Sequence, residues 1–245
     1  MEIPEQAAST PRWYFAYGSN LSLSVLTGKR GVAPQQSRVV RLPGYSLCFN
    51  VLFLPYSEPA MAGLQARVQH DRCQPVFGVA YLLSEADFLK VLVTEGAGVA
   101  YRMVETAAED VAGKTLRVYT LIARHESPFA GGRYPSRRYL DLLLKGAIES
   151  KLPIEYQETL VQLPAFRPSN STRWRVGQWT FQLVWHKISM WVQHGTRRFS
   201  NEQGEVPGWF LTIFDILLWL MWFHHDYIQA PVFGRGDGGT STEQL

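Results

Sequence analysis

Cysteine is scarce: Cys48 and Cys73 are the only two in 245 residues. Two thiols cannot form a disulfide framework, and no CxxC pair or His/Cys cluster with zinc spacing accompanies them. They read as reduced thiols of an intracellular protein. Charge is also sparse. Charged side chains make up 18% and the formal net charge is +3, which argues against a dedicated nucleic-acid binder. The opening "MEIPEQAASTPR" is polar and lacks an apolar core like that of a signal peptide, so the expected compartment is cytoplasmic. No internal repeat is present. The most apolar run, Trp209 to Phe223, has 15 residues. A comfortable bilayer span needs ~20, and Asp215 would be costly at mid-membrane.

Hydrophobic residues make up 46%, enough for a sizeable core in one domain, with or without an appendage. After a loose tail (1–12), residues 13–17 form an aromatic, strand-like stretch, and "LSLSVLT" (21–27) suits a short helix. Strands are expected over 45–54, 76–83 and in "YRMVETAAED" and "KTLRVYTLIA", the last two joined by a turn at Gly113. Residues 56–75 read as loop. Helices are expected over 84–96, capped by Ser84 and stopping near Gly96, over 136–151, capped by Ser136, and over 153–163, opened by Pro153. Residues 13–166 are therefore α+β: a twisted sheet or small mixed barrel flanked by helices.

Two places carry candidate chemistry. In "WYFAYGSNL" the aromatic strand breaks into Gly18, Ser19 and Asn20. Backbone N–H groups at such a turn can receive a carboxylate, a phosphate or a developing oxyanion. Ser19 and Asn20 can equally cap a helix, the commoner use of such a junction. In "VTEGAGVAYRM", Glu95 ends an apolar helix with almost no charge nearby. Burial would raise its pKa and suit it to proton transfer, while a solvated helix-end glutamate is the plainer alternative. "HDRC" (70–73) offers metal-capable groups without partners, "FAGGRYPSRR" lacks the context of a dinucleotide site, and Arg137 and Arg138 suit a solvated helix face or a rim for an acidic peptide.

"YFAYGSNL" (14–21), Glu95–Gly96 followed by Tyr101, "VYTL" around Tyr119 and "LPIEYQETL" (152–160) occur in this order. Together they resemble γ-glutamylcyclotransferase over about residues 13–166. The YGSN form is more similar to that enzyme than to the glutathione-specific (YGSL) or γ-glutamylamine (YGT) cyclotransferases. The resemblance implies a small mixed β-barrel with flanking helices, no metal and no organic cofactor. It implies release of 5-oxoproline from a γ-glutamyl amide, with Glu95 as general base and then acid. Substrate contacts are implied at Tyr14, Phe15, Ala16, Tyr17, Gly18, Ser19, Asn20, Tyr101, Tyr119 and Tyr156, with Tyr101 and Tyr119 open to a core role instead. A non-catalytic scaffold on the same fold is the competing reading.

The resemblance ends near residue 166. The rest, 167–233, has no acidic residue between Glu158 and Glu202, while Arg167, Arg173, Arg175, Lys187, Arg197 and Arg198 are basic. Phe181, Val184, Trp185, Ile188, Trp191 and Val192 share one helical face. This tryptophan-rich extension admits three placements: a span, an interfacial anchor through residues 178–228, or a helical pair packed on the domain or on a second copy in a homodimer. A Gly-rich flexible tail is expected from 234.

Overall fold

The computed structural model describes residues 10–67, 73–95, 98–125, 132–201 and 205–239. Gly96 and most of the "HDRC" loop lie outside them. Five strands close a barrel in the order β1 (Arg12–Ala16), β5 (Val76–Leu83), β2 (Gln36–Leu42), β6 (Tyr101–Asp110) and β7 (Thr115–Ala123). β1 is antiparallel to β5 and parallel to β7, where Tyr14 faces Tyr119 across the closing seam. A hairpin of β3 (Tyr45–Leu54) and β4 (Glu58–Ala66) forms a separate two-stranded sheet, with its register shifting between Cys48 and Val51. Three helices accompany the strands: α1 (Glu85–Thr94), α2 (Arg137–Glu149) and α3 (Ile154–Gln162). Ser84 and Ser136 cap α1 and α2, accepting from the backbone N–H groups of Asp87 and Tyr139.

The architecture is the expected α+β barrel, with local corrections. Residues 58–66 are a strand, not loop. β2 was not foreseen either. The short helix expected over 21–27 is present as a 3₁₀ turn (Ser19–Leu21) followed by a π-helical turn (Val25–Lys29).

The extension folds against the domain. Helix α4 (Thr172–Phe199) is followed by α5 (Gly208–Phe223), a π-helical turn (His224–Gln229) and the short α6 (Ala230–Phe233). Leu52, Leu54 and Tyr56 of the β3–β4 hairpin share a core with Trp174, Phe181, Trp185, Met221 and Trp222. Fully burying one such side chain contributes roughly 1.5–3 kcal/mol, so this is a substantial joint. Phe181 and Trp185 are buried as the helical face predicts, but Val184 and Trp191 are half exposed. Among the described residues no helix is long and apolar enough to cross a membrane, which removes the spanning placement.

The tail expected from 234 is folded at least to 239. Asp237 is fully buried, and its carboxylate meets Arg235 at 2.5 Å and Arg133 at 3.3 Å. Arg133 also pairs with Asp226 at 2.6 Å. His225 Nδ1 lies 2.9 Å from Asp226, and its Nε2 accepts the Gly236 N–H at 3.0 Å. His225, Asp226 and Asp237 have metal-capable atoms within 4.8 Å of one another. Both carboxylates are already paired with arginines and both ring nitrogens are hydrogen-bonded, so the cluster reads as an internal ion network.

Candidate active site

Strand β1 delivers Tyr14 to one side of a cleft, and the chain then turns through Tyr17, Gly18, Ser19 and Asn20. Glu95 arrives from the C-terminal end of α1, Tyr101 is the first residue of β6, and Tyr139 stands in the first turn of α2. Ala62 of β4 and Leu121 of β7 complete the lining of this small cleft.

Gly18 is needed here for close approach rather than for a left-handed turn, since its φ is −105°. A Cβ on Gly18 would stand 3.2 Å from the Tyr139 hydroxyl. That hydroxyl accepts the Ala62 N–H at 3.3 Å, and the Ser19 backbone N–H also points to it. One main-chain donor of the turn, the Ser19 N–H, thus faces the cleft, where the Tyr139 oxygen takes it up.

Asn20 does not cap a helix. Its side chain is buried and its amide nitrogen donates to Glu95 Oε1 at 2.8 Å and to the Tyr14 hydroxyl at 3.1 Å. Its amide oxygen accepts from Arg30 Nε at 2.7 Å. The Arg30 guanidinium also pairs with Glu95 Oε1 and donates to the Thr94 carbonyl at 2.9 Å. Glu95 is only 15% exposed. Burial raises its pKa above the ordinary glutamate range, and Arg30 and then Asn20 partly offset this by favouring the carboxylate. The result is a largely buried carboxylate, oriented by Asn20 and Arg30.

Tyrosines surround it. Tyr14, Tyr17, Tyr101 and Tyr139 all have pKa values raised chiefly by burial, so they stay neutral. Tyr101 donates to the Ala62 carbonyl at 3.0 Å, and Tyr17 to the Leu121 carbonyl.

The structure thus gathers Glu95, Tyr14, Tyr17, Gly18, Ser19, Asn20 and Tyr101 at one cleft. Phe15 and Ala16 are buried in the core beside it. Tyr119 is elsewhere: its ring meets Phe88 edge-on and stands 5.8 Å from the Arg12 guanidinium. Tyr156 packs its ring on Phe77, 5.4 Å between centroids, and does not line the cleft. Arg30 and Tyr139 were not foreseen. Arg30 lies in a short basic turn, "GKRG", and Tyr139 occupies an ordinary apolar position of α2; neither has a local signal of its contacts.

The barrel with its carboxylate facing a YGSN turn defines a γ-glutamylcyclotransferase-like protein, and the comparisons agree. A model of the AIG2-like family matches residues 75–160, and one described as AclK C-terminal domain matches residues 171–232. The γ-glutamyl cyclotransferase gliK of Claviceps purpurea is 38% identical over 221 residues, 89% of this chain and 100% of that protein. Its namesake in Aspergillus fumigatus is 34% identical over 244 residues, 92% of this chain and 89% of that protein. A solved structure titled γ-glutamyl cyclotransferase superimposes with a TM-score of 0.54 at 22% identity, covering 66% of this chain and 91% of its own. The chain belongs to the γ-glutamyl cyclotransferase family.

Proposed function

We propose that the protein releases 5-oxoproline from a γ-glutamyl amide, the γ-glutamyl group being that of a γ-glutamyl amino acid or of a glutathione-derived conjugate in natural-product or detoxification metabolism. One observation carries this reading: the buried Glu95 carboxylate, held by Asn20 and Arg30, opens on the same cleft as the Gly18–Ser19 turn.

The substrate holds both nucleophile and electrophile, so the cleft's main task is to keep it folded on itself. The neutral α-amine attacks the γ-carbonyl carbon as Glu95 takes one of its two protons, and a C–N bond forms. The carbonyl oxygen gains negative charge, and the Gly18–Ser19 turn is the place we assign to receive it, the substrate oxygen taking the Ser19 N–H over from the Tyr139 hydroxyl. The bond to the leaving amine then breaks as Glu95 returns the proton to that nitrogen.

The test is 5-oxoproline formation from γ-glutamyl-alanine, glutathione and a glutathione S-conjugate. Product from at least one is expected, with the conjugate preferred over free glutathione. No product from any of them would favour a non-catalytic scaffold.

We also propose that the extension rests on an anionic lipid surface. Trp209, Ile213, Ile216, Leu220, Phe223 and Tyr227 are exposed at helical spacing along α5 and its continuation. Exposed Arg175, Lys187, Arg197 and Arg198 on α4 have no acidic residue beside them in sequence. Basic charge next to exposed aromatics suits anionic headgroups, whereas a second copy would bring like charges together. Salt-sensitive co-sedimentation with phosphatidylserine vesicles is expected. A dimer that ignores such vesicles would overturn the proposal.

A further inference from the structure

Residues 98–101, which lead into β6, are gripped from outside by the extension. Gly98, at φ +82°, donates its N–H to the Tyr101 carbonyl at 2.9 Å. Arg124, just after β7, then clasps the backbone twice. Its N–H donates to the Ala100 carbonyl at 3.0 Å and its Nε to the Val99 carbonyl at 2.8 Å. The two remaining guanidinium nitrogens both go to Asp215 of α5, one of them at 3.1 Å to Oδ2. His125 Nε2 lies 3.2 Å from the same carboxylate oxygen.

Apolar contacts reinforce the grip. Val99 is buried with Val206 and Phe210 of the extension. Phe210 in turn fills the notch left by Gly195 on α4. Asp215 is the single charge in the apolar helix 208–223. A bidentate arginine–carboxylate pair fixes orientation as well as contributing energy, and Arg124 is only 15% exposed.

We infer that Asp215 is a positioning residue for the reaction: by orienting the Arg124 guanidinium it fixes the Val99 carbonyl, two residues before Tyr101, and so sets the placement of Tyr101 in the cleft. The C-terminal helices thereby become part of the active-site support, not only an appendage. The inference rests on the reading of Glu95 as the proton carrier. Arg124 is not among the residues that line the cleft, and it reaches Tyr101 through its bonds to the Val99 and Ala100 carbonyls. Displacements well below 1 Å at a reacting group cost rate, and about 1 Å costs on the order of 100-fold.

The test uses the full chain with Asp215→Asn, Asp215→Glu and Arg124→Lys. Asparagine keeps the shape and removes the charge. Lysine keeps the charge but cannot bridge Val99 and Asp215 at once. Assayed well below each variant's melting temperature, Asp215→Asn and Arg124→Lys are expected to lose roughly 10- to 100-fold in kcat with KM changed less than about threefold. Asp215→Glu should recover part of the loss. Unaltered kcat in both Asp215→Asn and Arg124→Lys, whatever their melting temperatures, would overturn the inference. Glu95→Gln is assayed beside them: if it keeps full turnover, the reading of Glu95 has failed, whereas an inactive Glu95→Gln beside fully active Asp215 and Arg124 variants sinks the positioning role alone.

Discussion

Asn20 shows how much one side chain can decide. Its amide spans Glu95, Tyr14 and Arg30, so the last letter of the YGSN turn orients the carboxylate rather than a helix end. Arg30 works on the same group through charge. Its cation favours the ionised form of Glu95 against the larger effect of burial. As the proposed base, Glu95 must be ionised to accept a proton, so activity is expected to fall as pH drops through its raised pKa. Removing Arg30 removes an attraction for the carboxylate and raises that pKa further. Arg30→Met is therefore expected to move the acid limb of kcat/KM to higher pH, and Arg30→Lys to move it less. A limb that stays in place in Arg30→Met would show that the pair seen here does not act on the catalytic ionisation.

The elements differ in how openly their residues announce them. β3 and β5 are dense in apolar residues, and α1 and α2 carry serine caps, so all four are legible. β4 is not, because Ala60, Ala62 and Gly63 have the composition of a turn. Small residues suit that strand, since Ala62 lines the cleft and a Cβ on Gly63 would stand 1.9 Å from the Asn50 side chain. The motif around Tyr119 leaves it open between a site role and a core role, and the fold decides: it packs with Phe88 and Arg12 away from the cleft. Tyr139 meets Ala62 across 77 positions of sequence, and a contact that long leaves no mark in either neighbourhood. Helix packing in the extension has the same character. A Cβ on Gly195 would stand 2.6 Å from the Phe210 ring. Alanine is favoured over glycine in a helix interior by about 1 kcal/mol, whereas overpacking costs typically 1–3 kcal/mol. Gly195→Ala is thus expected to lower stability by about 1 kcal/mol in denaturant melts. A gain in stability would mean that α4 and α5 are not seated as described.

At the scale of the whole molecule, the boundary near residue 166 separates sequence patterns more sharply than it separates packing. Leu52, Leu54 and Tyr56 belong to the catalytic half, and Trp174, Phe181 and Trp222 cover them from the other. A chain ended at residue 166 would expose that face, so it is expected to melt well below the full chain and to aggregate on size-exclusion chromatography. A monodisperse truncated chain with an unchanged melting temperature would contradict the shared core. The account as a whole turns on Glu95 as the proton carrier, and its most direct test is the pH dependence of 5-oxoproline release. The native protein should show an acid limb above the ordinary glutamate range. Glu95→Gln should lose roughly 100- to 10,000-fold in turnover, with the limb gone and substrate binding largely retained. A Glu95→Gln protein that turns over at the native rate with the same acid limb would contradict it.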